Sequence, residues 1–221
     1  MGEMSKRRYG QYCTVARALD AVGERWTLLV VRELLTGPKR FKDLLEGLPG
    51  IGTNLLATRL KDLEGNGILR RATLPPPAGS KVYELTGLGR ELEQVVMALS
   101  QWGSKLLGSP RRDEDLRPAW AVVAVKSGLD LRAVRDVSET YEFWVSEEVF
   151  HVSIRDGEAE AHQGPAREPD LTLSGDTETF LALASGQLEP AAALESKAIQ
   201  AEGDQDALSR CLEMFELPTN A

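Results

Sequence analysis

The sequence predicts an α+β protein built from two domains. In the first half, apolar residues recur at spacings of three and four, which is typical of amphipathic helices; in the second half they alternate with polar residues, which is typical of strands with one covered face. A polar, proline-flanked segment at residues 109–118 separates the two patterns and predicts a linker. The predicted domains are therefore residues 1–108 and residues 119–221.

The two halves carry opposite charge. Residues 1–110 hold 16 Lys and Arg against 11 Asp and Glu, a balance of +5, and the remaining residues hold 10 against 23, a balance of −13. Such asymmetry is typical of a basic nucleic-acid-binding module joined to an acidic module with another role. Chance segregation of surface charge is the alternative.

Several classes of protein are disfavoured by the composition. The longest apolar run, Ala119–Val125, is too short to span a bilayer, and the amino-terminal residues lack the apolar stretch of a secretion signal. The cysteines, Cys13 and Cys211, lie in different halves and form no disulfide framework. We therefore expect a cytoplasmic protein without membrane insertion. No metal-ligand spacing and no complete dinucleotide loop occur in the sequence, so we expect no cofactor and no enzymatic activity.

Four helices are expected to open the chain. The first two are predicted at Thr14–Ala21 and Trp26–Leu35, and the third begins at Phe41 after Gly37-Pro38, where proline cannot continue a helix. A turn at Pro49–Ile51 leads into a fourth helix, in which Leu56, Leu60 and Leu63 share one buried stripe.

A polar edge of the fourth helix lies opposite that stripe. We call it the recognition edge; it consists of Thr53, Asn54, Ala57, Thr58 and Lys61. A short helix, a turn and a second helix with such an edge, followed by a hairpin, predict a winged helix-turn-helix that reads the DNA major groove. Asn54 and Thr58 can hydrogen-bond base edges, Ala57 leaves room for a thymine methyl, and Thr53 lies where the helix amino terminus favours a phosphate.

Basic residues flank this edge. Arg59 and Lys61 are predicted to attract phosphates, and Arg70, Arg71 and Lys81 surround the Pro/Gly/Ser tip of the hairpin that runs from Arg70 to Thr86. This hairpin can follow the DNA backbone or enter the minor groove. The alternative is a winged helix used only for protein contact.

A long amphipathic helix is predicted from Gly89 to Leu107. Its broad apolar side is formed by Leu92, Val95, Val96, Leu99, Trp102 and Leu106. This side is wider than a surface helix of a small domain needs, so it predicts a homodimer interface; packing within the chain is the alternative.

The second half is predicted to form a sheet covered by helices on one side. Tyr141, Phe143 and Val145 alternate with polar residues, as do Phe150, Val152 and Ile154. The sequence also predicts turns at Glu147-Glu148 and Asp156-Gly157, strands at Leu171–Leu173 and Lys197–Ala201, and helices at Thr177–Ser185 and Asp204–Phe215.

Four blocks of the first half resemble the HxlR-type winged-helix regulators, relatives of the MarR group. These blocks are Cys13–Leu29, Gly37–Leu44, Leu60–Gly67 and Tyr83–Gly89. The resemblance implies a homodimer that binds palindromic double-stranded DNA operators, often as a repressor. Cys13 lies where many relatives hold a cysteine, which in some of them senses oxidants or electrophiles. Neighbouring Arg17 and the helix start favour a reactive thiolate, whereas simple burial of the thiol is the alternative.

Blocks of the second half resemble the sterol carrier protein type-two fold, an α+β domain with a mainly antiparallel sheet. They are Tyr141–Trp144, Val149–Gly157, Pro169–Leu173, Phe180–Gly186 and Lys197–Asp204. The resemblance implies a lipid or other small apolar ligand in a tunnel. The candidate lining residues are Phe143, Val145, Phe150, Val152, Phe180, Leu183, Met214 and Phe215. The alternative is that these side chains fill a solid core.

The sequence thus predicts a DNA-binding transcriptional regulator whose carboxy-terminal domain binds an apolar ligand that modulates operator binding. Two alternatives stay open. One is a redox- or electrophile-sensing regulator that acts through Cys13 and has a purely structural carboxy-terminal domain; the other is a lipid-binding carrier protein.

Overall fold

A computed structural model describes residues 8–77, 79–106, 137–184 and 186–215, together with Glu114, Trp120 and Val123. The chain divides into two compact units, Met1–Val96 and Met97–Ala221. The predicted linker at 109–118 lies outside the described residues except for Glu114, so the predicted domain limits stay a prediction. The α+β class is confirmed. Among the described helices, none has the length and apolar character needed to cross a bilayer.

The first unit begins with four helices and a hairpin. Their limits are α1 Thr14–Val22, α2 Thr27–Leu35, α3 Phe41–Gly47, α4 Thr53–Gly65, β1 Leu69–Thr73 and β2 Lys81–Leu85. The strands pair antiparallel, from Leu69 opposite Leu85 to Thr73 opposite Lys81. Every predicted element of this region is confirmed within one or two residues. Trp26 differs, because it precedes α2 with a left-handed φ of 78°.

The core of this unit is built from helix stripes and from one side of the hairpin. The predicted stripe of α4, Leu56, Leu60 and Leu63, is fully buried. It shares the interior with Val30, Val31, Leu34, Leu44, Leu48, Leu69, Val82 and Leu85, which are buried as well. Burying one such side chain contributes about 1.5–3 kcal/mol, so this stripe determines which face of α4 turns outward.

A backbone bridge joins the hairpin to the connection between α2 and α3. The Lys39 amide donates to the Tyr83 carbonyl oxygen at 3.0 Å, and the Tyr83 amide donates to the Lys39 carbonyl oxygen at 2.8 Å. The sequence does not predict this bridge, because a single paired residue has no periodicity.

Helix α5 extends over Gly87–Ser104, two residues earlier than predicted at its start. Thr86 holds this start, since its Oγ1 accepts the Gly89 amide at 3.1 Å. A Cβ on Gly89 would lie 2.0 Å from the Ile68 carbonyl oxygen. Only glycine therefore allows the helix to approach the end of the α4–β1 connection so closely.

Between residues 137 and 215, the described part of the second unit contains a five-stranded sheet and three helices. The strands are β3 Glu139–Val145, β4 Glu148–Arg155, β5 Glu158–Gln163, β6 Leu171–Gly175 and β7 Ile199–Gly203; the helices are α6 Thr177–Ala184, α7 Pro190–Glu195 and α8 Gln205–Phe215. The strand order is β5-β4-β3-β6-β7. Only the β3–β6 pair is parallel among these strands, so the predicted mainly antiparallel sheet is confirmed.

Three details of this unit differ from the sequence prediction. The β3–β4 turn is Ser146-Glu147, with a left-handed φ of 55° at Ser146, rather than Glu147-Glu148. The strand predicted from Lys197 begins at Ile199, because Lys197 adopts a positive φ of 60°. Helix α7 is not predicted at all; its six residues, which begin at Pro190, are too few to show a helical period.

One face of the sheet is covered by the three helices. The buried cluster joins strand residues such as Phe143, Phe150 and Leu171 to Phe180 of α6, Ala193 of α7 and Met214 of α8. Alternation along β3 and β4 directs these strand side chains to the same face. The predicted arrangement of helices on one side of the sheet is therefore confirmed.

Candidate nucleic-acid interface

The recognition edge is exposed along the whole of α4. Thr53, Asn54, Ala57, Thr58 and Lys61 are all accessible to solvent, whereas the leucine stripe on the opposite side of the helix is buried. The burial of the stripe and the exposure of the edge are two consequences of one 3.6-residue period. The edge offers an amide, hydroxyl groups, a methyl group and an ammonium group to a partner.

The amino terminus of α4 is open to an acceptor. Gly52 occupies the N-cap position with an extended backbone, and no described side chain caps this helix start. The first amide groups of a helix need such an acceptor and carry the positive end of the helix dipole. Thr53 lies at this end, as predicted, where a phosphate oxygen would be favoured.

Thr58 uses its hydroxyl hydrogen within the helix. Its Oγ1 donates to the Asn54 carbonyl oxygen at 2.9 Å. In this arrangement Thr58 offers an acceptor, rather than a donor, to a base edge. The side-chain amide of Asn54 can supply both kinds of group.

Arg59 has a different place from the one that the sequence predicts. Its side chain is only 13% exposed and pairs with Glu24 at 2.8 Å, while its Nε donates to the Arg25 carbonyl oxygen at 3.1 Å. A third contact joins Arg59 to Asp62 at 3.4 Å. Its guanidinium is thus engaged by protein acceptors, so this geometry does not favour the phosphate contact of Arg59, which stays a prediction.

The hairpin carries the other predicted cations. Arg70 pairs with Glu84 across the strands at 2.7 Å, and Arg71 pairs with Glu64 at 3.3 Å. Both arginine side chains are largely exposed, and exposed pairs of this kind contribute about 0–1 kcal/mol, so a phosphate can compete with the carboxylates. Lys81 is exposed at the start of β2, and Lys61 is exposed on α4.

The predicted apolar side of α5 divides into two faces. Val96 is buried and Leu92 is half-buried, whereas Val95, Leu99, Trp102 and the following Leu106 are exposed. The exposed residues are spaced by four, three and four, which is the seam pattern of paired helices. A second exposed apolar face is formed by Tyr12, which precedes α1, and by Val15 and Leu19 within α1. It is not among the sequence predictions, although its residues are spaced by three and four.

The predicted ligand-lining residues lie within the core of the second unit. Phe143, Val145, Phe150, Val152, Phe180 and Met214 are buried, and Leu183 is half-buried. The Phe143 and Phe150 rings stack with centroids 5.0 Å apart, and the Phe180 ring meets Phe143 edge-on at 6.2 Å. The structure thus brings these residues together, with the Phe143 ring in contact with both Phe150 and Phe180. The side chain of Phe215 lies outside the described residues.

Comparisons with known proteins agree with this geometry. Residues 21–110 match the family model described as HxlR-like helix-turn-helix. An HTH-type transcriptional regulator of Synechocystis sp. is 38% identical over 98 residues, which cover 44% of this chain and 73% of that protein. The HTH-type transcriptional regulator YodB of Bacillus subtilis is 39% identical over 88 residues, covering 40% of this chain and 79% of YodB. The chain belongs to the HxlR-like helix-turn-helix family.

This HxlR-type transcriptional regulator also matches a second family model and a solved structure. Residues 123–214 match the model of the SCP-2 sterol transfer family, so a domain of that kind follows the helix-turn-helix. The solved structure of the reduced form of YodB from B. subtilis is 34% identical, covers 46% of this chain and 100% of that chain, and gives a TM-score of 0.39.

The two cysteines of the HxlR-type regulator differ in accessibility. Cys13 is exposed at the N-cap position of α1, where its carbonyl oxygen accepts the Arg17 amide at 3.0 Å. Cys211 is buried, and burial, with a smaller contribution from the charge of Glu139, raises the pKa of its thiol to about 12. At neutral pH only Cys13 presents an accessible thiol. Among the described residues, no group of three or more His, Cys, Asp and Glu side chains is placed to hold a metal ion.

Proposed function

We propose that this regulator binds double-stranded operator DNA as a homodimer and acts as a repressor. The proposal rests on the exposed recognition edge of α4. The amino terminus of α4 has no side-chain cap, and the basic hairpin follows α4 in the chain. An edge of this composition fits a major groove, in which donors, acceptors and thymine methyl groups identify the base pairs.

Each part of the interface has a separate task in this proposal. Asn54 and Thr58 contact base edges, and Ala57 packs against a thymine methyl. Thr53 and the first amide groups of α4 bind a phosphate. Lys61, Arg70, Arg71 and Lys81 neutralise further phosphates and set the register of the protein on the duplex. This division leaves Arg59 out, because its guanidinium is already engaged.

Dimerisation is proposed through the exposed seam of α5, assisted by the apolar face of α1. Trp102 is 60% exposed and Leu106 is 68% exposed, which is a costly state for large apolar side chains unless a partner covers them. A two-fold dimer would present two recognition helices about 34 Å apart, which predicts a palindromic operator with half-sites one helical turn apart.

We further propose that the acidic carboxy-terminal domain binds a small apolar ligand and thereby changes operator affinity. Its match to the SCP-2 sterol transfer family model and its helix-covered apolar face support this proposal. Because Phe180 of α6 packs edge-on against Phe143 of the sheet, a ligand between them would have to separate α6 from the sheet. Such a displacement gives the ligand different affinities for two arrangements of the protein, which is the requirement for control by a ligand.

One experiment tests the DNA-binding part of this proposal directly. Purified protein is used to select bound fragments from sheared genomic DNA, and the affinity for the enriched site is then measured at several stated salt concentrations. We expect a palindromic site that is bound at least a thousandfold more tightly than a scrambled duplex. If no duplex is retained even at low salt while an apolar probe binds, a lipid-carrier function replaces the regulator function.

A second candidate switch is favoured by the exposure of Cys13. Its thiol lies at the start of α1, directly beside the exposed apolar face that is proposed to join the dimer. A modified thiol there would alter the interface between the two copies. If a quinone or a peroxide releases wild-type protein from its operator and fails to release Cys13→Ser, Cys13 is the switch; if wild type ignores both reagents, it is not.

A further inference from the structure

We propose that Arg59 is a positioning residue: together with Glu24 it fixes the orientation of the recognition helix and so determines base selectivity without touching DNA. This inference rests on the proposed DNA-binding function. It assigns a role in that function to an acidic residue, Glu24, that lies 35 positions away in the sequence.

The contacts of Arg59 form a clamp between α4 and the connection from α1 to α2. Its Nη2 donates to Glu24 Oε2 at 2.8 Å, its Nε donates to the Arg25 carbonyl oxygen at 3.1 Å, and its Nη1 donates to Asp62 Oδ2 at 3.4 Å. Two of these acceptors, Glu24 Oε2 and the Arg25 carbonyl oxygen, belong to the connection and bind different nitrogens of one planar guanidinium, while Asp62 of α4 binds the third nitrogen, so the guanidinium is fixed in rotation as well as in position. The clamp therefore restrains the angle of α4 and not only its distance from the connection.

The connection from α1 to α2 makes a second contact, through Trp26, with the turn before α4. Trp26 adopts a left-handed backbone with φ of 78°, which is a costly state for a bulky residue, and Arg25 lies over its indole ring at 5.6 Å. That ring reaches the turn before α4, since a Cβ on Gly50 would lie 3.7 Å from Trp26 Cη2. Residues 24–26 thus contact both the turn that precedes α4 and the middle of α4, and two points along an axis define its direction.

Loss of the clamp should affect the base contacts of α4 more than its phosphate contacts. Thr58 precedes Arg59 and is bonded to the Asn54 carbonyl oxygen, so a tilt of α4 moves both base-reading side chains. Hydrogen bonds to bases weaken steeply outside a narrow range of distance and angle, whereas attraction between Lys or Arg and the DNA backbone tolerates such a movement. Loss of the clamp should reduce selectivity and leave the electrostatic part of binding intact.

The experiment compares Arg59→Ala and Glu24→Gln with wild type and with Glu46→Gln. Glu46 is an exposed carboxylate of α3 that pairs with Lys42 on its own helix, so the last variant removes an equal charge from the same unit without touching α4. Affinity for the selected operator and for a scrambled duplex is measured at four salt concentrations. Thermal unfolding confirms that each variant is folded, and Glu24→Gln still tests the proposal if Arg59→Ala does not fold.

We expect Arg59→Ala to lower the ratio of operator affinity to scrambled-DNA affinity at least tenfold, while the slope of log K against log salt changes by less than about 0.5. A lost phosphate contact would instead flatten that slope by about 0.9 for each protomer and weaken both duplexes alike, and this result would overturn the proposal. Glu24→Gln removes a negative charge, and this charge effect alone predicts tighter binding to every duplex. Loss of the clamp predicts instead a lower ratio of operator affinity to scrambled-DNA affinity. If Glu24→Gln has the same ratio of operator affinity to scrambled-DNA affinity as Glu46→Gln, the proposal is also overturned.

A second measurement requires no DNA. Amide hydrogen exchange should be faster in α4 of Arg59→Ala than of wild type, with unchanged exchange in the five-stranded sheet. Unchanged exchange in α4 would overturn the positioning role whatever the DNA results are. If wild type binds no duplex and exchange in α4 still increases, the proposed DNA-binding function fails while the clamp itself is supported.

Discussion

The aromatic rings of Phe143 and Phe150, which are direct partners on β3 and β4, stack with 14° between their planes. Such a pair contributes about 0.5–1.5 kcal/mol beyond its buried area. Phe180, which is carried by α6, meets the Phe143 ring edge-on, so the proposed ligand would have to break this contact to enter between α6 and the sheet. Phe180 is therefore the side chain with which to test the proposed ligand site.

Phe180→Ala is expected to destabilise the carboxy-terminal domain and to enlarge its capacity for apolar molecules. Removal of a buried phenylalanine ring costs about 3–5 kcal/mol and leaves a cavity between α6 and the sheet. Chemical unfolding measures the first effect, and titration with a fluorescent fatty acid measures the second. Trp144→Ala, which removes a partly exposed ring, is the control and should produce smaller changes in both. Equal effects of the two substitutions would argue against a ligand site beside Phe180.

Asn54→Ala and Lys81→Ala are expected to affect different properties of DNA binding. Loss of Asn54 should relax the preference at one base position in each half-site by about 1–3 kcal/mol, because the bonds to the base are lost. Loss of Lys81 should weaken all sequences alike and lower the salt slope by about 0.9 for each protomer, because a counterion-releasing contact is lost. Selection from a randomised operator library and salt titrations measure the two. If Asn54→Ala keeps the wild-type base preference, the α4 edge does not read that base; if Lys81→Ala keeps the wild-type salt slope, the hairpin makes no phosphate contact through Lys81.

Leu99→Glu is expected to dissociate the proposed homodimer. A carboxylate in the middle of the exposed α5 seam cannot be desolvated without a partner, so association becomes unfavourable. Sedimentation should then give a monomer, and operator affinity should fall strongly, because the two half-sites are no longer bound by linked subunits. Gln94→Glu introduces the same charge at an exposed polar position of α5 and should leave a dimer. A dimeric Leu99→Glu would place the interface elsewhere.

The carboxy-terminal domain is expected to lose stability in acid partly through Asp204 and Asp176. Backbone amides of Ala207 and Asp206 hold the pKa of Asp204 below its usual range, and the Thr179 amide does the same for Asp176. A lowered pKa in the folded state means that the charged caps add stability above the unfolded-state pKa of about 3.9, and that this stability is lost as pH falls through the folded-state pKa.

Asp204→Asn should therefore reduce the thermal midpoint at pH 7 and should also flatten its decline between pH 4 and pH 2. Asparagine keeps an acceptor for the helix amides but carries no charge to titrate. Glu147→Gln removes an exposed carboxylate from the β3–β4 turn and serves as the control, with a decline like that of wild type. An unchanged slope in Asp204→Asn would show that this cap does not contribute to acid unfolding.

The elements that the sequence predicts well are those whose information is local. Leu56, Leu60 and Leu63 identify both faces of α4 because a helix repeats every 3.6 residues. Arg59 shows the limit of this reasoning, since its basic side chain on a DNA-reading helix suggests phosphate contact. Its actual partners, Glu24 and the Arg25 carbonyl oxygen, lie 35 and 34 residues earlier, and no spacing within α4 reveals them.

The carboxy-terminal domain shows the same limit in a different form. Alternation identifies β3 and β4, yet the position of their turn differs by one residue, because the left-handed backbone falls on Ser146 where no glycine marks it. The buried residues Phe143 and Phe150 are predicted correctly as members of one face, since a strand alternates. Whether that face encloses a tunnel depends on the distance between α6 and the sheet. The spacing of apolar residues in the sequence does not determine that distance.

The order of the sheet has a consequence for how this chain can be shortened. β3 comes first in the sequence among the five strands but lies in the middle, and its second neighbour, β6, follows only after β4 and β5. A fragment that stops at Gln163 keeps β4 and β5 and leaves the opposite side of β3 with unsatisfied backbone groups, a template for aggregation. A fragment made to isolate the DNA-binding region should therefore end before Glu139 rather than partway through the sheet.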